Sequence, residues 1–133
     1  MNECKILLVD DDPEDHIIMK EAMESVNASG WMEYSDSSKS AFTILSQCFS
    51  SSHLPHLIVL DLNMPILSGT QTLLQIKNNK NLKSIPVIIF STSANENEKR
   101  KCLSFGAVDY LVKPSYYADG RELIQKFLTY LNS

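Results

Sequence analysis

The sequence predicts an α/β domain built on one parallel sheet of five strands, with helices packed on both of its faces. Two observations predict it. Five short apolar runs recur along the 133 residues, each closed by polar or turn-forming residues, and five helix-period patterns alternate with them. The run Leu57-Ile58-Val59-Leu60 is apolar at every position, the pattern of a central strand buried on both faces. Regular alternation of such strands with helices calls for right-handed crossovers and a three-layer sandwich.

The elements follow in order. Lys5–Val9 is the first run and stops at Asp10-Asp11-Asp12-Pro13. Asp12 as N-cap, Pro13 at the first helical position and Asp15 three residues beyond the cap predict a helix start. Ile17, Ile18, Glu21, Ala22 and Val26, with Met19 and Met23 alongside, form its expected buried stripe up to about Ala28, before Gly30. Trp31–Tyr34 is a short, weakly patterned second strand. Ser35-Asp36-Ser37-Ser38 can cap a helix carrying Ala41, Phe42, Ile44, Leu45 and Cys48 inward, followed by a serine-rich loop at 50–52.

The third strand ends at Asp61, and a loop holding Pro65 and Gly69 leads to a helix with Leu73, Leu74 and Ile76 inward, finished by Asn78 to Asn81. Pro86 opens the fourth run, Val87–Phe90, which ends on Ser91-Thr92-Ser93. Asn95 with Glu98 reads as a capping box for a helix running to Phe105, and Gly106 as its left-handed C-cap. Val108–Val112 is the fifth strand, closed by Lys113-Pro114. A last amphipathic helix turns Leu123, Ile124, Phe127, Leu128 and Leu131 inward.

Composition limits the function. An apolar fraction of 44% over this length suits one compact domain with its own core, covering 1–133. A net charge of −4 does not favour nucleic acid or an anionic membrane as partner. Lys99-Arg100-Lys101 is flanked by acidic and apolar residues and reads as a solvated helix face. Cys4, Cys48 and Cys102 are odd in number and lack metal-ligand spacing, which argues against a disulfide framework or a zinc site. No leader pattern is visible, and no apolar run approaches the roughly 20 residues of a membrane span. The expected location is the cytoplasm. His16, His53 and His56 have no partner spacing for metal or catalysis and read as structural or solvated.

In a parallel sheet the carboxyl ends of all strands share one edge, where ligands gather in open α/β folds. Four segments therefore converge: Asp10 to Asp12, Asp61, Ser91 to Ser93, and Lys113. Carboxylates brought together repel one another, at a cost on the order of several kcal/mol per contact in a medium of intermediate dielectric. Lys113 offsets one charge. A hard divalent cation offsets the rest, and Mg²⁺ suits two carboxylates, a main-chain carbonyl, waters and phosphate oxygens. Such a site is shaped to carry a phosphoryl group on Asp61 as nucleophile, with Ser91 on a phosphoryl oxygen.

Val9-Asp10-Asp11-Asp12, Leu60-Asp61-Leu62-Asn63-Met64-Pro65 with Gly69, Phe90-Ser91-Thr92 and Tyr110-Leu111-Val112-Lys113-Pro114 resemble the receiver domain of two-component response regulators. The match covers nearly the whole chain, in order and with the usual spacings. Within that family the chain looks nearest to stand-alone receivers of the cyanobacterial phytochrome-associated kind, which implies a single domain without an output domain. The resemblance implies a flavodoxin-like (βα)5 fold with strand order 2-1-3-4-5. It further implies phosphorylation of Asp61 by a sensor histidine kinase or hybrid kinase, and Mg²⁺ held by Asp10, Asp11, Asp61 and the main-chain carbonyl of Asn63. Asp11 is the first choice for direct ligation, with Asp10 acting through water or by orienting Lys113. The resemblance also implies a cis bond before Pro114, a switch that couples Ser91 to Tyr110, and signalling or homodimerisation through the face of helix 4, strand 5 and helix 5, where Tyr116, Tyr117 and Phe127 lie near.

The departures are mild. Serine stands at 91 where threonine is commoner, Thr92 is larger than the usual alanine, and Asn63 and Ser93 are neither acids nor bases that would strongly activate water. A moderate phosphoryl lifetime is expected. Three rival readings compete: a dehalogenase-type phosphatase, a flavodoxin-like cofactor binder, and a docking module that is never phosphorylated. The first needs a second acid where Asn63 stands. The second needs a Ser/Thr/Gly-rich phosphate cradle where the acids of the first loop stand. The third keeps the same fold and is separated only by experiment.

Overall fold

The computed structural model describes residues 5–64, 68–113 and 117–131. Its elements alternate as β1 (Ile6–Val9), α1 (Pro13–Ser25), β2 (Met32–Ser35), α2 (Ser38–Ser50), β3 (Leu57–Asp61), α3 (Gly69–Lys77), β4 (Val87–Ser91), α4 (Glu96–Ser104), β5 (Asp109–Val112) and α5 (Tyr117–Leu131). The five strands form one parallel sheet in the order β2-β1-β3-β4-β5. This is the flavodoxin-like fold.

Strand residues alternate between two cores. Leu7, Val9, Ile58, Leu60, Val87, Ile89 and Tyr110 face Ala41, Leu45, Leu73, Ile76 and Cys102 of α2, α3 and α4. Ile6, Leu8, Leu57, Val59, Ile88, Phe90 and Leu111 face Met19, Ala22, Met23, Leu123, Ile124 and Phe127 of α1 and α5. β1, β3 and β4 are buried at every position. A sheet covered on both faces leaves only its carboxyl edge for polar chemistry, which is why the apolar runs are continuous.

Capping chemistry sets the helix starts. Asp12 accepts from the Glu14 amide with Pro13 at the first helical position, and Ser37 accepts from the Ser40 amide. Asn95 accepts from the amides of Asn97 and Glu98. A full reciprocal capping box occurs instead at α3, between Ser68 and Gln71. Gly106 adopts φ +110° after α4, as a left-handed cap requires.

Several sequence expectations shift. The stripe of α1 is rotated: Met19, Ala22 and Met23 are buried, with Val26 partly so, while Ile17 is 50% exposed and Glu21 faces solvent. The helix stops at Ser25, not near Ala28, and a short 3-10 turn at Ser29–Trp31 precedes β2, which begins one residue later than expected. Positions 19, 22, 23 and 26 give the stricter i, i+3, i+4, i+7 set, and two methionines filling it against α5 outweighed the more hydrophobic isoleucines. Gly69 opens α3 rather than lying in the loop, and α3 ends at Lys77 with Asn78 as C-cap. Phe127 is fully buried in the core and contributes nothing to an exposed face. Pro65, Pro114 with its expected cis bond, Cys4 and Tyr116 lie outside the described residues.

Candidate functional site

Strand register brings the acids together. Val9 pairs with Leu60 across β1 and β3, so Asp10 and Asp61 lie side by side one step further on. Phe90 pairs with Asp61 and Ser91 with Val112, and the Lys113 amide donates to the Ser91 carbonyl at 2.7 Å. Asp10, Asp61 and Ser91 are buried, whereas Asp11 is exposed at the mouth.

Lys113 Nζ lies 3.1 Å from Asp10 Oδ2, 3.3 Å from Asp61 Oδ1 and 2.7 Å from Asp15 Oδ2. Of these contacts, the one aligned as a hydrogen bond goes to Asp15. Burial alone would lower the lysine pKa, but the Asp15 hydrogen bond and the charges of Asp10 and Asp61 outweigh it and push it up. Asp10 is pushed up to about 8, chiefly by burial, although the Asp12 amide and Lys113 pull the other way. Asp11 is also raised, by desolvation and then by its hydrogen bond and repulsion with Asp61.

Main-chain contacts fix the acids. The Asp12 amide donates to Asp10 Oδ1 at 2.9 Å, and the Asn63 amide donates to Asp61 Oδ1 at 3.1 Å. His16 Nε2 donates to the Asp10 carbonyl at 2.6 Å while its ring tilts against Tyr34. On the other side of the site, the Ser93 amide donates to Ser91 Oγ at 3.1 Å, and the Tyr110 hydroxyl donates to the Ser93 carbonyl at 2.7 Å. Tyr110 is 5% exposed, so its ring is packed inward. Thr92 faces solvent.

The donor set fits a hard divalent cation. One carboxylate oxygen from each of Asp10, Asp11 and Asp61 lies within 4.8 Å of the others. Asp10 Oδ2 is buried, and among the described residues it meets only the Lys113 ammonium, at ion-pair distance without an aligned hydrogen bond. Three carboxylate oxygens, two of them from buried residues, suit Mg²⁺ better than a softer metal.

Sequence reasoning assembled Asp10, Asp11, Asp61, Ser91 and Lys113 at one edge and added Asn63 through the family resemblance. In the structure the three carboxylates group together with Lys113 beside Asp10 and Asp61. The Asn63 amide donates to Asp61 Oδ1, and Ser91 follows Phe90, the register partner of Asp61. Sequence reasoning missed Asp15, read there only as part of a helix start, and His16, read as without a partner. The signal existed in the helical period: Asp15, Met19 and Met23 fall at i, i+4 and i+8 on the buried stripe. With Ile17, Ile18 and Glu21 included in the expected stripe, its centre turned away from Asp15 and left that residue at the edge.

The response regulator receiver domain matches residues 6–127. The chain belongs to this family. This receiver is 31% identical over 122 residues to response regulator Rcp1 of Synechocystis, covering 90% of this chain and 83% of that protein. The structure of Rcp1 in its Mn²⁺-bound form superposes with a TM-score of 0.79 at 30% identity, covering 93% and 91% of the two chains. The phosphorylated cyanobacterial phytochrome response regulator RcpA superposes with a TM-score of 0.84 at 27% identity, covering 98% and 95%. Receivers are phosphoacceptor modules of two-component signalling that work with histidine kinases and bind Mg²⁺ through acidic residues, and Asp10, Asp11 and Asp61 form such a group here. None of the described helices is long and apolar enough to cross a membrane.

Proposed function

We propose that this receiver accepts a phosphoryl group on Asp61 from a sensor histidine kinase or hybrid kinase and signals by contacts that depend on that modification. The observation that carries the reading is Asp61, 2% exposed, lying 3.3 Å from Lys113 Nζ and within reach of two further carboxylates. A buried carboxylate can act as the nucleophile toward an anionic phosphoryl group once cations compensate the negative charge around it.

In the transfer, one Asp61 oxygen forms a bond to phosphorus as the bond from phosphorus to the kinase histidine nitrogen breaks. Asp10, Asp11, Asp61 and the Asn63 carbonyl would hold Mg²⁺, which neutralises charge on the phosphoryl oxygens. Lys113 offers its ammonium to another of those oxygens, and Ser91 its hydroxyl. Ser91 Oγ accepts from the Ser93 amide, which leaves its O–H to donate to a phosphoryl oxygen, and the Ser93 carbonyl accepts from the Tyr110 hydroxyl. Ser93 thus links the two ends of the switch. Asn63 and Ser93 offer no strong base to water, which supports a moderate phosphoryl lifetime.

For the output face, Leu103, Val108 and Val112 on and beside α4 and β5 are 38%, 44% and 47% exposed, giving it an apolar component suited to a protein partner or a second copy. The test of the acceptor role is intact-protein mass after incubation with acetyl phosphate and Mg²⁺. A phosphoryl adduct that a chelator prevents supports the proposal. Absence of the adduct in folded, Mg²⁺-binding protein rejects it in favour of a phosphorylation-independent docking module.

A further inference from the structure

Lys113 has a flexible stem and three N–H bonds, and something must hold its head over Asp61. Asp10 and Asp61 lie at ion-pair distance, but the aligned hydrogen bond goes to Asp15, at 2.7 Å and 98 residues away in sequence. Asp15 is suited to the task. It projects from the first turn of α1, which is fixed by the Asp12 cap and Pro13, and its side chain is only 17% accessible. Lys113 is 11% accessible, so solvent competes little for the pair.

We propose that Asp15 is a positioning residue for phosphoryl recognition. It takes the aligned hydrogen bond of Lys113, holds the ammonium beside Asp61, and leaves the remaining N–H bonds directed to an incoming phosphoryl oxygen. The proposal rests on the acceptor reading of Asp61. It separates two physical effects of opposite sign. As a bare negative charge near an anion site, Asp15 would oppose phosphoryl binding, and its removal would strengthen it. As the anchor of the lysine, its removal frees the head to wander and weakens binding.

The experiment measures beryllofluoride binding, as a phosphoryl mimic, by ¹⁹F NMR at saturating Mg²⁺. The wild type, Asp15→Asn and Asp15→Glu are compared, each checked by circular dichroism to be folded at the temperature of the measurement. The expected result is binding about threefold weaker in Asp15→Asn, the scale of a partly exposed ion pair, and recovery in Asp15→Glu, which keeps the charged acceptor. Binding in Asp15→Asn equal to or tighter than wild type overturns the proposal, as does a loss that Asp15→Glu shares in full. A wild type that takes up no beryllofluoride overturns the underlying acceptor reading, a result separate from any difference among variants.

Discussion

Gly69, the first residue of α3, packs against the main chain of Asp61 so closely that a Cβ there would overlap the Asp61 carbonyl oxygen and come within 2.5 Å of Leu62 Cα. Its amide also donates to the Leu62 carbonyl at 3.0 Å. The site therefore depends on a missing side chain as well as on those present.

Gly69→Ala forces this backbone apart. The expected cost is about 1–3 kcal/mol of unfolding free energy, the usual penalty for overpacking where the neighbour is main chain and cannot turn aside. Denaturant unfolding checks it, and an unchanged midpoint would refute the close approach.

Asp61→Asn keeps the shape of the side chain and removes the nucleophile. Labelling by acetyl phosphate should vanish while the circular dichroism spectrum and thermal midpoint persist, and labelling retained at wild-type level would exclude Asp61 as acceptor.

Asp11 stands exposed at the mouth with its carboxylate beside Asp61, whereas Asp10 is buried against Lys113 and the Asp12 amide. Asp11→Ala should weaken Mg²⁺ binding at least about tenfold, as loss of one charged ligand implies. Calorimetric titration that finds the wild-type constant would move the ligand role elsewhere.

Asp10 has a folded pKa of about 8 against an ordinary value of 3.8, so the folded chain holds its proton more tightly than the unfolded one. The stability linked to that proton is complete below the lower value and is lost as pH rises through the upper one. Metal-free protein should therefore melt at a lower temperature near about pH 8 than near about pH 5, with Asp10→Asn reducing the difference. Because a bound cation requires the carboxylate ionised, Mg²⁺ binding at neutral pH should also release protons, seen as a buffer-dependent heat.

Tyr110→Phe removes the donor to the Ser93 carbonyl while keeping the buried ring. A loss of about 1 kcal/mol is expected, the usual net worth of one hydrogen bond with a partly buried acceptor. Unfolding curves that coincide with wild type would show the hydroxyl to be idle.

The fold was legible because its signals are local. Continuous apolar runs such as Leu57–Leu60 and Val87–Phe90 announce buried strands, and Asp12, Ser37, Asn95 and Gly106 mark helix ends through contacts within a few residues. Where two local patterns competed the reading slipped. In α1 the isoleucines at 17 and 18 suggested one face, and only packing against α5 selected Met19 and Met23.

By itself, the sequence determined the alternation of strands and helices, the convergence of Asp10, Asp11, Asp61, Ser91 and Lys113 on one edge, and through its motifs the family. These follow from periodicity and chain order, which are properties of short stretches. Only the tertiary structure decided that Lys113 hydrogen-bonds Asp15, that His16 holds the Asp10 carbonyl, and that Tyr110 packs inward onto Ser93. Those outcomes depend on helix phase and on which charges lose their water together, quantities that exist only once distant segments are packed.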